Sequence, residues 1–197
     1  MAIAIEDALA AISQHRTDEL VITSAGTSSE VWWHTTRDTD GTFYLEASMS
    51  LSTLFAAGIA MSYPEARVWA FLGDGAFVMN TGMLFVERAL ALPNLVSIVI
   101  ANRCYGSVGG IALPDAAEID FAGVARAAGI AHVRHFSSLA ELTQDFDAAF
   151  RSGKPTLVVI DAVLPQKSYG SPPLDGPELK YRFGRALEKR FGRTVLA

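Results

Sequence analysis

Residues 68–82 read VWAFLGDGAFVMNTG. Large apolar side chains from Val68 to Leu72 stop at Gly73-Asp74-Gly75, and apolar residues then recur at helical spacing. A continuous apolar run, as opposed to an alternating one, belongs to a strand buried on both faces, as in a parallel sheet covered by helices. LVSIVIA at 95–101 has the same texture. Strand–helix alternation along the chain predicts an α/β fold: a doubly wound, mainly parallel sheet with helices on both faces.

Outward from that stretch, the expected strands are 20–23, 42–45, 67–72, 95–101, 131–134 and 156–161. The expected helices are 5–15, 28–35, 50–62, 80–91, 118–128, 138–151 and 178–190. VLPQKSYGSPPLDGPELK, at 163–180, is rich in Pro and Gly and leads into a basic helix. The expected organisation is one α/β domain over 1–165, then an arm and helix over 166–197 that lie on the surface or on a partner.

Composition narrows the function classes. Half of the 197 residues are apolar and 19% are charged, which is globular material. The formal charge of −5, without a basic stripe, argues against nucleic acid as a partner. One cysteine excludes an internal disulfide framework and fits a reducing, cytoplasmic compartment. The start, with Glu6 and Asp7 inside its apolar part, reads as an amphipathic helix and not as a signal peptide. No apolar run is long enough to span a bilayer, so no membrane is expected.

Asp74 poses the chemical question. In doubly wound folds ligands sit at the carboxyl ends of the strands. Glycines there let backbone amides approach a phosphate, and a following helix N-terminus favours its charge. A bare carboxylate would repel that phosphate unless a hard cation sat between them. Mg²⁺ takes one or two carboxylates, neutral oxygens and substrate phosphates. The next strand ends in Asn102, with 26 residues between it and Gly75, enough for one crossover. The two side chains are therefore candidates for one ion. Taken singly, a Gly-Asp-Gly turn and an Asn cap are also ordinary local structure.

GDGAFVMN followed by ANRCYG resembles the thiamine diphosphate motif, in which Gly-Asp-Gly is followed about two dozen residues later by Asn. FYLEASMSLSTLFAAGIAMSYPEARVWAFLGDG, at 43–75, and VITSAGTSSEVW, at 21–32, resemble the same domain of sulfopyruvate and phosphonopyruvate decarboxylases, and YGSVGG resembles their YGSTGG. The resemblance spans most of 15–162. It implies that Asp74, the Asn102 side chain and the Cys104 carbonyl hold Mg²⁺. Gly73, Gly75 and Ala76 would line the diphosphate, with Ser48, Tyr105 and Gly106 also at the cofactor. Met49 would prop the cofactor into a bent shape, and the Met49 amide and Ala47 carbonyl would bond its aminopyrimidine ring. The implied chemistry is decarboxylation of a small 2-oxo acid; carboligation or acyl transfer with the same cofactor, and a non-catalytic phosphate-binding module, stay open.

Some positions depart from the family pattern. Ala47 and Ser50 stand where Gly is usual, Ala76 where many relatives have Ser, and Arg103 where a small residue is usual. Arg103 reads either as a partner for an anionic substrate group or as an ion pair. His34 is a candidate proton donor or a helix-end histidine, and Asn80 a candidate helix cap. The activating glutamate of such enzymes lies in a separate pyrimidine-binding domain for which this chain has no room; Glu46 is a poor substitute. The resemblance thus implies a split enzyme: a β-type subunit whose α-type partner donates the glutamate, in an α₂β₂ or larger hetero-oligomer.

Overall fold

The computed structural model describes residues 2–45 and 48–196. Its elements, in chain order, are β1 (Ile3–Ala4), α1 (Ile5–His15), β2 (Leu20–Ser24), α2 (Thr27–Thr36), β3 (Thr42–Leu45), α3 (Ser52–Ser62), β4 (Val68–Gly73), α4 (Asp74–Met79), α5 (Met83–Leu90) and β5 (Leu95–Ala101). They continue with β6 (Cys104–Tyr105), β7 (Ile111–Ala112), α6 (Phe121–Ala127), β8 (His132–Phe136), α7 (Leu139–Gln144), α8 (Phe146–Phe150), β9 (Thr156–Val163) and α9 (Gly176–Phe191).

The main sheet runs β1-β9-β5-β4-β2-β3, with β8 also paired to β9, and all its pairings are parallel. The expected α/β class and its mainly parallel sheet are observed. β4 shows why its sequence is apolar throughout. Trp69 and Phe71 face one buried cluster, with Trp32, Leu9 and Phe146. Val68, Ala70 and Leu72 face the clusters on the other side. Each large side chain so buried contributes on the order of 2 kcal/mol.

Two expected helices differ in extent or continuity. The predicted helix 80–91 is α5 alone, because α4 opens at Asp74 itself and ends at Asn80. Asn80 therefore closes a helix and does not cap the next one: its Nδ2 donates to the Ser50 carbonyl at 3.2 Å. The predicted helix 138–151 breaks at Asp145 into α7 and α8.

The C-terminal helix is part of the core. Phe183 and Leu187 of α9 are buried beside Leu20, Ile22 and Ala57, and Phe183 meets Phe43 edge-on at 5.3 Å. An amphipathic face with no other cover buries its apolar stripe on the nearest open side of the sheet. Among the described residues no helix is long and apolar enough to cross a membrane.

Candidate functional site

Along the chain, β2 pairs with β3 on one side, and β4 then returns to pair with β2 on the other. Strand order reverses there, and the carboxyl ends of β2 and β4 diverge around a crevice, the usual ligand position in such sheets. A cleft occupies that place. Its lining includes Met49, Gly73, Asp74, Gly75, Ala76, Asn102, Cys104, Tyr105 and Gly106. The fold thus brings together residues that are 57 positions apart in the chain, from Met49 to Gly106. Ser48 is not among the lining residues, and Glu46 and Ala47 lie outside the described residues.

Asp74 is 1% exposed. Its Oδ1 accepts the Gly75 amide at 2.9 Å and its Oδ2 the Arg103 amide at 2.5 Å. Among the described residues, no cationic side chain forms an ion pair with it. Burial pushes its carboxyl up to about 6, against the pull of those two amides and of the more distant Arg103 charge. A buried carboxylate with no ion-pair partner in contact is costly and fits a bound cation. Among the described residues no group of three or more His, Cys, Asp or Glu side chains could hold a metal. A cation beside Asp74 would therefore take neutral oxygens and ligand phosphate, the preference of Mg²⁺.

Asn102 closes the turn after β5, its Oδ1 accepting the Cys104 amide at 3.1 Å. The same oxygen also accepts the Cys104 thiol at 3.7 Å, a long contact that a stronger ligand would displace. Cys104 is partly buried, and burial first, then the Asp74 charge, push its thiol above the usual range. A protonated thiol is a poor nucleophile and ligand. Gly75 lies under the Tyr105 ring and the Met49 methyl: a Cβ there would come 2.5 Å from Tyr105 Cε1 and 3.3 Å from Met49 Cε. Gly106 is as confined, with Leu164 Cδ2 at 2.6 Å and Thr27 Oγ1 at 2.7 Å from such a Cβ.

The cleft also holds residues to which the sequence assigned no role in the site. Gly26, Thr27 and Ser28, at the start of α2, line it with Ser107. Gly26 has φ +121, which an L side chain rarely adopts. The N-terminus of α2 opens on the cleft, where amides and the helix dipole favour an anion. A glycine between a buried strand and Thr-Ser-Ser was the available signal. It lacks the spacing of a dinucleotide fingerprint, so spacing alone assigns it no ligand.

Two candidates lie elsewhere. His34 is exposed on α2 and is not among the residues lining the cleft; its Nε2 accepts the Gly170 amide at 3.1 Å, and its ring meets Tyr169 edge-on at 5.0 Å. It ties down the segment before α9. The Arg103 guanidinium also points away, donating to the Ala116 carbonyl at 2.8 Å and the Ile119 carbonyl at 2.6 Å. Of its two expected roles the structure keeps a form of the second, since its Nη2 lies 3.4 Å from Asp161 Oδ1.

A doubly wound domain with a glycine-lined, carboxylate-floored cleft at its switch point is the class that this fold and site define. Residues 25–160 match the model of the thiamine pyrophosphate enzyme family, C-terminal TPP binding domain, and the chain belongs to that family. It is 24% identical over 171 residues to the sulfopyruvate decarboxylase subunit beta of Methanocaldococcus jannaschii, covering 87% of this chain and 89% of that one. It is 32% identical over 168 residues to the phosphonopyruvate decarboxylase of Streptomyces viridochromogenes, covering 84% of this chain but 41% of that longer protein. Its fold matches the thiamine diphosphate-dependent 4-hydroxybenzoylformate decarboxylase of Rhodococcus jostii RHA1 with a TM-score of 0.72 at 17% identity, over 84% of this chain and 34% of that one.

Proposed function

We propose that this chain is the β-type subunit of a split, cytoplasmic thiamine diphosphate-dependent decarboxylase acting on a small 2-oxo acid. The observation that carries the reading is the buried Asp74 carboxylate, without an ion-pair partner among the described residues, at the floor of a glycine-lined cleft. Asp74, the Asn102 side chain and the Cys104 carbonyl would hold Mg²⁺. Gly73, Gly75, Ala76, Gly106 and the start of α2 would take the diphosphate. When bound, the cofactor supplies a carbanion that attacks the 2-oxo group and an electron sink for the departure of CO₂. Met49, over Gly75, would fix the cofactor's bend; a thioether on a flexible stem suits an irregular gap.

The subunit reading rests on the relatives. The chain covers most of a named beta subunit but under half of the longer phosphonopyruvate decarboxylase. The remainder is the proposed work of an α-type partner, which would bring the activating glutamate to an α₂β₂ or larger assembly.

Calorimetric titration of thiamine diphosphate into the protein with Mg²⁺, and with EDTA in its place, tests this. Binding that needs Mg²⁺ and is lost in Asp74→Ala, with the fold retained by circular dichroism, is expected. Equal affinity in that variant would remove the metal assignment. Native mass spectrometry of the complex from its source should show a second small chain.

A further inference from the structure

Arg103 is fastened at both ends. It follows Asn102 in the turn after β5, with φ +63, a left-handed conformation unfavourable for a side-chain-bearing residue. That conformation turns its amide onto Asp74 Oδ2 at 2.5 Å, while its carbonyl accepts the Leu113 amide at 3.1 Å. Its guanidinium reaches in the opposite direction. It donates to the carbonyls of Ala116 and Ile119, lies 3.4 Å from Asp161 Oδ1, and stacks 4.8 Å from the ring of the buried Phe121. A planar fork with several donors meets this spread of acceptors; an ammonium meets fewer of them.

We propose that Arg103 is the positioning residue of the metal site: its guanidinium, moored to the 116–121 segment and β9, holds the strained turn so that its own amide aims the Asp74 carboxylate and the Asn102–Cys104 oxygens face the same ion. The inference rests on the reading of the cleft as a Mg²⁺–diphosphate site. It adds a cause for the site's geometry that lies outside the cleft, in a side chain that touches neither metal nor cofactor.

The stored strain separates this role from a merely structural one. Arg103→Gly keeps the left-handed turn at no steric cost and retains the amide, but removes the mooring. Arg103→Lys keeps the charge near Phe121 but reaches fewer acceptors. The full chain, in the assembly in which it purifies, is titrated with thiamine diphosphate at saturating Mg²⁺, and its melting temperature is measured without either. Arg103→Gly should lose about tenfold in affinity, the lower end of the effect of groups that orient metal ligands, and Arg103→Lys should recover part of it. Asp161→Asn, which weakens one mooring point, should lose less. Affinity within twofold of wild type in Arg103→Gly, whatever its melting temperature, would overturn the proposal. Wild-type protein that binds no thiamine diphosphate with Mg²⁺ would overturn the cofactor reading and this inference with it. Loss in Arg103→Gly beside tight wild-type binding supports both.

Discussion

Gly75 and Tyr105 are packed so that a methyl group on the glycine would fall 2.5 Å from the tyrosine ring edge. The contact joins the first residues of α4 to the short strand after β5, across the cleft. Gly75→Ala should push the Tyr105 ring and the Met49 methyl into the cleft. Overpacking of this kind costs about 1–3 kcal/mol. The expected result is a modest fall in denaturation midpoint and a loss of at least tenfold in thiamine diphosphate affinity. Unchanged affinity would show that the ring yields without narrowing the cleft.

Glu87 is a buried carboxyl outside the cleft, on α5, accepting the Ser97 hydroxyl at 2.8 Å. Burial raises it to about 7, while the hydroxyls of Ser97 and Thr53 pull the other way. Its pKa in the folded state thus exceeds the value of 4.5 it starts from. The folded state holds the proton more tightly, so this contribution is fully present below pH 4.5 and is lost as pH rises toward 7. The size is about 3 kcal/mol. Glu87→Gln should match wild type near pH 5 and exceed it in unfolding free energy by pH 8. A constant offset between the two proteins across that range would mean that Glu87 does not titrate in this way.

Ser50 carries φ +77 beside Met49, in the conformation that glycine adopts freely. Its amide meets Ser24 Oγ at 3.3 Å, and its carbonyl receives Asn80. Both bonds use backbone atoms on Ser50 and survive removal of its side chain. Ser50→Gly should therefore stabilise the fold by about 1 kcal/mol, the relief of a left-handed non-glycine residue less the added entropy of the unfolded chain. Urea denaturation would register it as a higher midpoint at constant slope. A lower midpoint would mean that the serine hydroxyl holds the turn in a way the backbone bonds do not.

Phe183 sits 4% exposed between α9 and the sheet. Phe183→Ala leaves a cavity against Phe43 and should cost about 3 kcal/mol. If α9 were an arm that only met a partner, the same substitution would leave the stability of the isolated chain unchanged, so urea denaturation discriminates the two.

The strands were legible because burial on both faces forces continuous apolar runs, and Val68–Leu72 shows that pattern without help from its neighbours. The Asp74–Asn102 pair was legible for a related reason: one crossover has a narrow range of lengths, and strand ends in a parallel sheet meet at one edge. Less visible were features set by distant contacts. The break at Asn80 follows from a hydrogen bond to Ser50, 30 residues away. The outward direction of Arg103 follows from carbonyls at 116 and 119. His34 is held by the chain at Gly170, 136 residues on.

Sequence by itself determined the class of fold and which residues gather at the ends of β4 and β5, because periodicity and crossover length act locally. Tertiary structure alone decided which side chains face the cleft, that α2 presents its N-terminus there, and that α9 closes the sheet. Those outcomes depend on which apolar surface is left open and which buried acceptors remain unpaired once the sheet has formed, and neither quantity exists until distant segments meet.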